Sequence, residues 1–270
     1  MVLALQTETL SIHQNEAVAV LTLSRPHVRN ALSLEMVADL RQATGMLERE
    51  TSVRAVLLCA AGDHFMVGGD VKRLHRAVTT DTEDYQNGFE ARALDAHEII
   101  TSLRRMPKSV VAAVQGAAAG FGMSLVMASD LAIASRDAYF SYAYSKIGLS
   151  ADGGATYFLP RLVGERRALE LALLGDRFDA QRAYDLGIIN FLCERDRLAE
   201  EAMALTRRLA GGATKALAQI KTLIRTSLEH TWDEQSHREA TSVAAMTLTG
   251  DHREGVAAFV EKRPAVFTGK

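Results

Sequence analysis

The chain has 270 residues and a mass of 29.4 kDa, enough for one large domain that buries roughly three quarters of its unfolded surface. Its 31 lysines and arginines nearly balance 33 aspartates and glutamates, so composition gives no general attraction to nucleic acid or anionic membrane. With 48% hydrophobic and 24% charged residues the chain is expected to be globular, neither disordered nor fibrous.

Met1 to Leu10 lacks the basic and long apolar regions of a secretory signal. Ala17 to Leu23 and Val53 to Cys59 are short β-branched runs that end in turn residues and read as strands. Between them, Leu34, Val37, Leu40, Ala43 and Leu47 repeat at helical spacing behind Ser33, a plausible N-cap, predicting a helix over Ser33 to Glu50. Helical and coil readings balance over His75 to Asn87, and a helix is expected from about Tyr85 to Arg105, stopped by Pro107. Val110 to Ser129 carries no formal charge over a length that could span a bilayer. Its Gln115, Ser124 and three glycines favour a buried strand, a glycine turn and a buried helix instead. Leu131 to Ala134 continues the alternation, which predicts a mostly parallel sheet. After Gly164 strand signals nearly vanish. Glu165 to Leu174, Ala180 to Asp185, Leu198 to Leu228, Trp232 to Met246 and Arg253 to Val260 read as helical. Residues 1–195 are thus expected to form a sheet-and-helix core, and 196–270 a helical appendage that covers this core or a neighbour's.

Two glycine-containing turns each follow a predicted strand and precede a predicted helix: His64 to Lys72 and Gly116 to Ser124. Backbone N–H groups at such places can hold an anion or a carbonyl oxygen gaining charge, although tight turns alone account equally for the glycines. No nucleotide fingerprint is present. Ser124 lacks the second glycine of a nucleophile elbow and suits a small buried helix position. Asp152, before Gly153 and Gly154, reads either as turn chemistry or as an acid whose pKa rises if Tyr142, Tyr144, Phe158 and Leu159 desolvate it. Cys59 and Cys193 show no metal or disulfide-framework spacing, nor do His64, His75 and His97 suggest a metal site, so a reducing cytoplasm is the expected compartment.

Further segments complete a pattern: Arg25-Pro26 with Asn30-Ala31-Leu32, Gly68 to Lys72, Gln115-Gly116 to Gly122, Leu125 to Asp130, Ile147-Gly148-Leu149, Leu159-Pro160-Arg161, Leu173-Leu174-Gly175, Ala183 to Gly187, and Glu254-Gly255 to Arg263. In order and spacing they resemble the successive motifs of the enoyl-CoA hydratase/isomerase (crotonase) family along nearly the whole chain. The resemblance implies an α/β fold with a ββα spiral core and a C-terminal helical oligomerisation region. It also implies a homotrimer or dimer of trimers, action on acyl-CoA thioesters in fatty acid metabolism, and no permanently bound cofactor, metal, nucleic acid or membrane partner.

Carried over by position, the backbone N–H groups of Gly69 and Phe121 would form an oxyanion hole. The two glutamates of the hydratases would fall on Ser124 and Tyr144, which would line the acyl pocket but cannot replace carboxylates. Asp152 matches the single acid of isomerases, including the ring-epoxide isomerases of phenylacetate breakdown. It matches equally the nucleophile of 4-chlorobenzoyl-CoA dehalogenases, whose pocket tryptophan is Tyr144 here. CoA contacts are implied at Val28, Arg29, Val67, Gly68, Val71 and Lys72, and at Phe259 and Lys262 reaching the ligand of an adjacent chain. On periodicity alone Phe259 suits the core face of an amphipathic last helix, with Lys262 exposed. The favoured activity is double-bond or ring isomerisation with Asp152 as base. Hydratase, dehalogenase or thioesterase chemistry and a non-catalytic acyl-CoA binding protein are the alternatives.

Overall fold

A computed structural model describes residues 3–80 and 82–270, apart from the side chains of 82–85. In chain order, the first half comprises β1 (Ala4–Gln6), β2 (Leu10–Asn15), β3 (Val18–Leu23), α1 (Leu34–Arg49), β4 (Ala55–Ala60), α2 (Val71–Thr80), α3 (Thr82–Arg105), β5 (Ser109–Val114), β6 (Ala117–Ala119), α4 (Phe121–Ala128), β7 (Leu131–Ser135) and β8 (Tyr139–Ser141). There follow α5 (Ala155–Val163), α6 (Glu165–Leu174), β9 (Phe178–Asp179), α7 (Ala180–Asp185), β10 (Phe191–Cys193), α8 (Leu198–Ala210), α9 (Thr214–Thr226), α10 (Trp232–Met246) and α11 (Gly250–Glu261).

Seven strands form one sheet in the order β1-β2-β3-β4-β5-β7-β10, and β6, β8 and β9 form a second. Pairing from β3 through β10 is parallel, as the alternation of strands and helices predicts, whereas β1, β2 and β3 form an antiparallel meander. β1 and β2 precede the first strand expected, although Leu10, Ile12 and Gln14 alternate with more exposed residues. The short β9 and β10 lie where strand signals nearly vanish, because two or three residues are too few to set a period.

Two-residue periodicity sorts the sheet's faces. Val56 and Leu58 of β4 and Val110, Ala112 and Val114 of β5 join the main core, which includes Leu40 and Leu47 of α1 and Ile99 and Leu103 of α3. Leu57, Val111 and Ala113 point the other way, against Leu198 and Ala202 of α8. Ser33 caps α1 as expected, its Oγ accepting from Met36 N–H at 3.3 Å. The C-terminal end of α1 is closed by Lys108, nearly fully buried, whose Nζ donates to Leu47 O at 2.7 Å and Glu50 O at 2.6 Å. α4 is buried on every side, so a charge-free Val110 to Ser129 reflects interior packing. Among the described residues no helix is long and apolar enough to cross a membrane.

α2 and α3 lie on either side of residue 81, so the balance over His75 to Asn87 resolves toward helix, with Asp81 itself outside the described residues. The tail after α11 returns to the core. Thr268 and Gly269 donate their N–H groups to the Asp251 carboxylate at 2.7 and 2.9 Å, and Arg54 donates to Phe267 O at 2.9 Å.

Candidate active site

The segment from His64 to Asp70 is held between two others. On one side Leu32 N–H donates to Gly68 O at 2.7 Å, and Asp70 N–H donates to Leu32 O at 3.1 Å. In such a parallel bridge the residue between the two partners turns its own N–H away, so Gly69 N–H faces opposite to Leu32. On the other side Met66 pairs with β6, its N–H donating to Ala117 O at 3.0 Å and its carbonyl accepting from Ala119 N–H at 2.8 Å. Gly120 N–H then donates to Ser141 O at 3.1 Å, and the chain turns into α4 with Phe121 first. A first-turn N–H has no acceptor within its helix. Among the described residues no acceptor takes the N–H of Gly69 or of Phe121.

Glycine is required where these turns meet. Gly68 and Gly120 have φ of +87° and +52°, conformations that side chains disfavour. A Cβ at Gly68 would lie 3.2 Å from Ala119 O and 3.5 Å from Gly120 Cα. The two unpaired amides therefore flank a close approach between turns about fifty residues apart in sequence. Asn30 supports this from beneath. Fully buried, it donates to Ala61 O at 3.0 Å and His64 O at 2.8 Å and accepts from Arg25 N–H at 2.7 Å, so the Arg25 and Asn30 motif is a brace for the first glycine turn.

Val67, Gly68, Gly69, Val71, Phe121, Tyr144 and Asp152 line one cavity, which brings together most of the residues singled out in the sequence. Its apolar walls come from α1 through Val37, α2 through Leu74, and α3 through Phe89, Ala93 and Ala96 at helical spacing. Asp152 sits half-buried before the glycine pair. The Tyr144 hydroxyl donates to its Oδ1 at 2.6 Å, and no donor among the described residues bonds Oδ2. Burial, followed by the Asp152 charge, pushes the Tyr144 phenol well above its ordinary pKa, and the same causes push Tyr142 up to about 12. Both phenols therefore keep their protons across neutral pH. Ser124 is fully buried and donates to the Asp152 carbonyl at 3.4 Å, supporting the loop from α4 rather than lining the cavity. Asp70, the second acid on the cavity wall, is occupied: it accepts from Arg73 N–H at 3.2 Å and faces Arg25 at 3.7 Å.

Other expected contacts lie elsewhere. Arg29 and Val67 border a neighbouring depression with Lys146 and Arg177, Val28 lies in the short turn before Arg29, and Lys72 stands exposed at the start of α2. Phe259 is 85% exposed on α11 rather than in a core, and Lys262 caps that helix in a left-handed conformation. Neither lies on the cavity wall of its own chain. One contact had no sequence signal. His97 of α3 accepts from Gly153 N–H through Nε2 at 2.9 Å, anchoring the loop that carries Asp152. A lone histidine on a helix has no spacing that announces such a bond. Among the described residues no cluster of histidine, cysteine or acids could hold a metal.

Two free N–H donors beside a carboxylate with an unbonded oxygen can stabilise negative charge on an oxygen while a proton leaves or rejoins a nearby carbon. Residues 13–270 match the family described as enoyl-CoA hydratase/isomerase. The chain is 36% identical over 263 residues to the 1,2-epoxyphenylacetyl-CoA isomerase of Escherichia coli K12, covering 97% of this chain and 99% of that protein. It is 33% identical to the trans-2-decenoyl-[acyl-carrier-protein] isomerase of Streptococcus mutans, covering 95% and 96%. Among solved structures, an enoyl-CoA hydratase from Polaromonas sp. JS666 superposes with a TM-score of 0.89 at 34% identity, covering 96% of this chain and 99% of that one.

Proposed function

Because the chain belongs to the enoyl-CoA hydratase/isomerase family, we propose that it is an acyl-CoA isomerase that isomerises a double bond, or a ring, through an enolate, with Asp152 as its single base. The observation that carries this reading is the Asp152 carboxylate, tethered by Tyr144 through one oxygen and unbonded at the other, lining the same cavity as Gly69 and Phe121 with their free amides.

In the proposed reaction Oδ2 of Asp152 takes a proton from C2 of a 3-enoyl thioester. The electron pair spreads onto the thioester oxygen, which accepts hydrogen bonds from Gly69 N–H and Phe121 N–H. The same carboxyl group returns the proton to C4, leaving a 2-enoyl thioester. Each such amide stabilises the developing charge by about 3 kcal/mol. A single acid suffices because the proton leaves and re-enters along one face and no water is consumed. Hydration needs a second group to activate water, and neither the protonated Tyr144 nor the buried Ser124 hydroxyl beside Asp152 is such a base. The CoA moiety is proposed to lie along Val28, Arg29, Val67, Gly68, Val71 and Lys72. Residues 1–195 would form the catalytic part. Residues 196–270 would assemble three copies, so that Phe259 and Lys262 meet the CoA bound by a neighbour.

The test is 3-hexenoyl-CoA in ¹⁸O-enriched water, followed by mass spectrometry. The expected product has unchanged mass and a conjugated double bond. Asp152→Asn lowers its rate of formation by about 10² to 10⁴, the range of general base catalysis, while CoA-ester binding persists. Incorporation of the heavy oxygen, or an unimpaired Asp152→Asn enzyme, rejects the assignment.

A further inference from the structure

The peptide that joins Asp152 to Gly153 is held from both sides. Its carbonyl oxygen accepts from Ala155 N–H at 3.1 Å and from the Ser124 hydroxyl of α4 at 3.4 Å, while its N–H donates to His97 Nε2 of α3 at 2.9 Å. A peptide unit is planar, with C=O and N–H pointing opposite ways, so holding both ends fixes the plane. That plane sets the direction in which the Asp152 side chain leaves the backbone. The local chain would not hold it, because Gly153 and Gly154 follow with φ of +61° and +74° and leave the loop wide conformational freedom. The carbonyl is anchored to an interior helix. The N–H is anchored to a half-buried imidazole, a group that can lose its acceptor.

The bond fixes the tautomer. Nε2 accepts from Gly153, so it carries the lone pair and the proton sits on Nδ1. An imidazolium has an N–H at both nitrogens, and one formed at His97 would set a donor against the Gly153 donor. The charged groups around it are nearly all engaged. On α3 itself Asp95 and Glu98 pair with Arg41 of α1, and Arg105 pairs with Glu48. Across the cavity that His97 borders, Glu229 accepts from the Tyr157 hydroxyl of α5, and Arg225 of α9 pairs with Asp130. Two charges remain to act on a proton at His97. The Arg104 guanidinium, which lies over the Phe158 ring and meets no carboxylate among the described residues, opposes it, and Asp152 attracts it.

We propose that His97 is a positioning residue for Asp152: its neutral Nδ1–H tautomer holds the Gly153 N–H and so aims the carboxylate, and protonation of the imidazole releases the loop and slows proton transfer at carbon. This rests on the isomerase reading above and adds to it a residue that touches no substrate.

The test compares three full-length proteins on 3-hexenoyl-CoA between about pH 5 and 8, the range in which histidine changes charge. They are wild type, His97→Gln, whose Oε1 is an acceptor that does not titrate, and His97→Leu, which has no acceptor. Any titration of Asp152 is shared by all three, so ratios of kcat between them read His97 alone. At about pH 8, His97→Gln is expected to keep kcat within about threefold of wild type and His97→Leu to lose about five- to tenfold, the worth of one neutral hydrogen bond. KM and the calorimetric affinity for saturated hexanoyl-CoA stay within about twofold in both. Lowering the pH is expected to reduce wild-type kcat relative to His97→Gln by about the same five- to tenfold, and to leave the ratio of His97→Leu to His97→Gln constant. Nitrogen-15 imidazole spectra, with the His97 signals identified by their loss in His97→Gln, are independent of turnover and are expected to show the Nδ1–H tautomer at about pH 8. Wild type that binds acyl-CoA without turning it over refutes the isomerase reading, and the spectrum then decides alone whether His97 holds the loop. A wild-type to His97→Gln ratio flat with pH, a His97→Gln enzyme as impaired as His97→Leu, a loss carried by KM, or the Nε2–H tautomer overturns the proposal.

Discussion

At the residue scale the central pair is Tyr144 and Asp152. A phenol held in its protonated form by burial and by the adjacent negative charge is a dependable donor, and its bond to Oδ1 orients the carboxylate so that Oδ2 faces the cavity unencumbered. Tyr144→Phe removes that bond, along with the long 3.5 Å contact of the same hydroxyl to the Asp152 carbonyl. It is expected to lower kcat about tenfold, the worth of one hydrogen bond to a charged group, with acyl-CoA affinity unchanged. Steady-state kinetics separating kcat from KM would check this. Since the Tyr144 shift is upward, its donor is retained as pH rises, and kcat should show no loss attributable to Tyr144 between about pH 7 and 10. A profile measured on wild type and Tyr144→Phe, identical in shape across that range, is the expected result. Asp152 was visible in the sequence as an acid in a glycine-rich, apolar stretch, and Tyr144 as a neighbour eight positions earlier. Their bond, and that of His97 with Gly153, depend on where α3 and the loop after β8 are placed in space, which no local spacing encodes.

At the element scale the two glycine turns are maintained by packing that distinguishes among glycines. Gly122 of α4 lies so close to the Met66 segment that a Cβ would stand 2.3 Å from the Met66 carbonyl oxygen, whereas one at Gly69 would meet only Leu74 Cδ1 at 3.7 Å. Gly122→Ala is therefore expected to lower the melting temperature by several degrees or abolish soluble expression, and Gly69→Ala to fold normally, as thermal unfolding would show. Lys108 provides a pH-dependent counterpart. Burial holds its pKa down to about 8 from the ordinary 10.5. Below about pH 8 it is charged in both folded and unfolded chains, and the cost of burying that charge is fully present. Between about pH 8 and 10.5 the folded chain has released the proton that the unfolded chain keeps, so this group's contribution to stability rises with pH. Urea unfolding across that range should show wild type gaining on Lys108→Met as pH increases. Many elements were legible beforehand: α1 from its apolar stripe and Ser33 cap, α6, α7 and α10 from periodicity, β3 and β4 from β-branched runs, and β5 and β7 from the strand-and-helix alternation that follows them. The small β6, β8 and β9 sheet was not, because strands of two or three residues exist only through their pairing partners.

At the scale of the whole molecule, apolar side chains crowd the exposed faces of the C-terminal helices, with Ile224 68%, Trp232 75%, Val243 69%, Phe259 85% and Val260 74% exposed. A surface of this kind on a single chain marks a site of association, and it supports the proposal that 196–270 joins copies of the chain. Phe259→Asp is expected to reduce the assembly to smaller species in light scattering after gel filtration, while the monomer's far-ultraviolet circular dichroism stays the same. Length, charge balance and strand and helix periodicity by themselves determined a sheet-and-helix α/β protein, and the ordered motifs, through their resemblance to this family, implied its membership and the role of Asp152. Only the tertiary structure decided that Gly69 and Phe121 keep their amides unpaired, that Tyr144 tethers one carboxylate oxygen, and that His97 anchors the loop carrying Asp152. The reason is directional: whether an N–H, a phenol or an imidazole is free depends on which distant segment lies opposite it, and that is settled by packing between turns, helices and loops that the chain brings together only when folded.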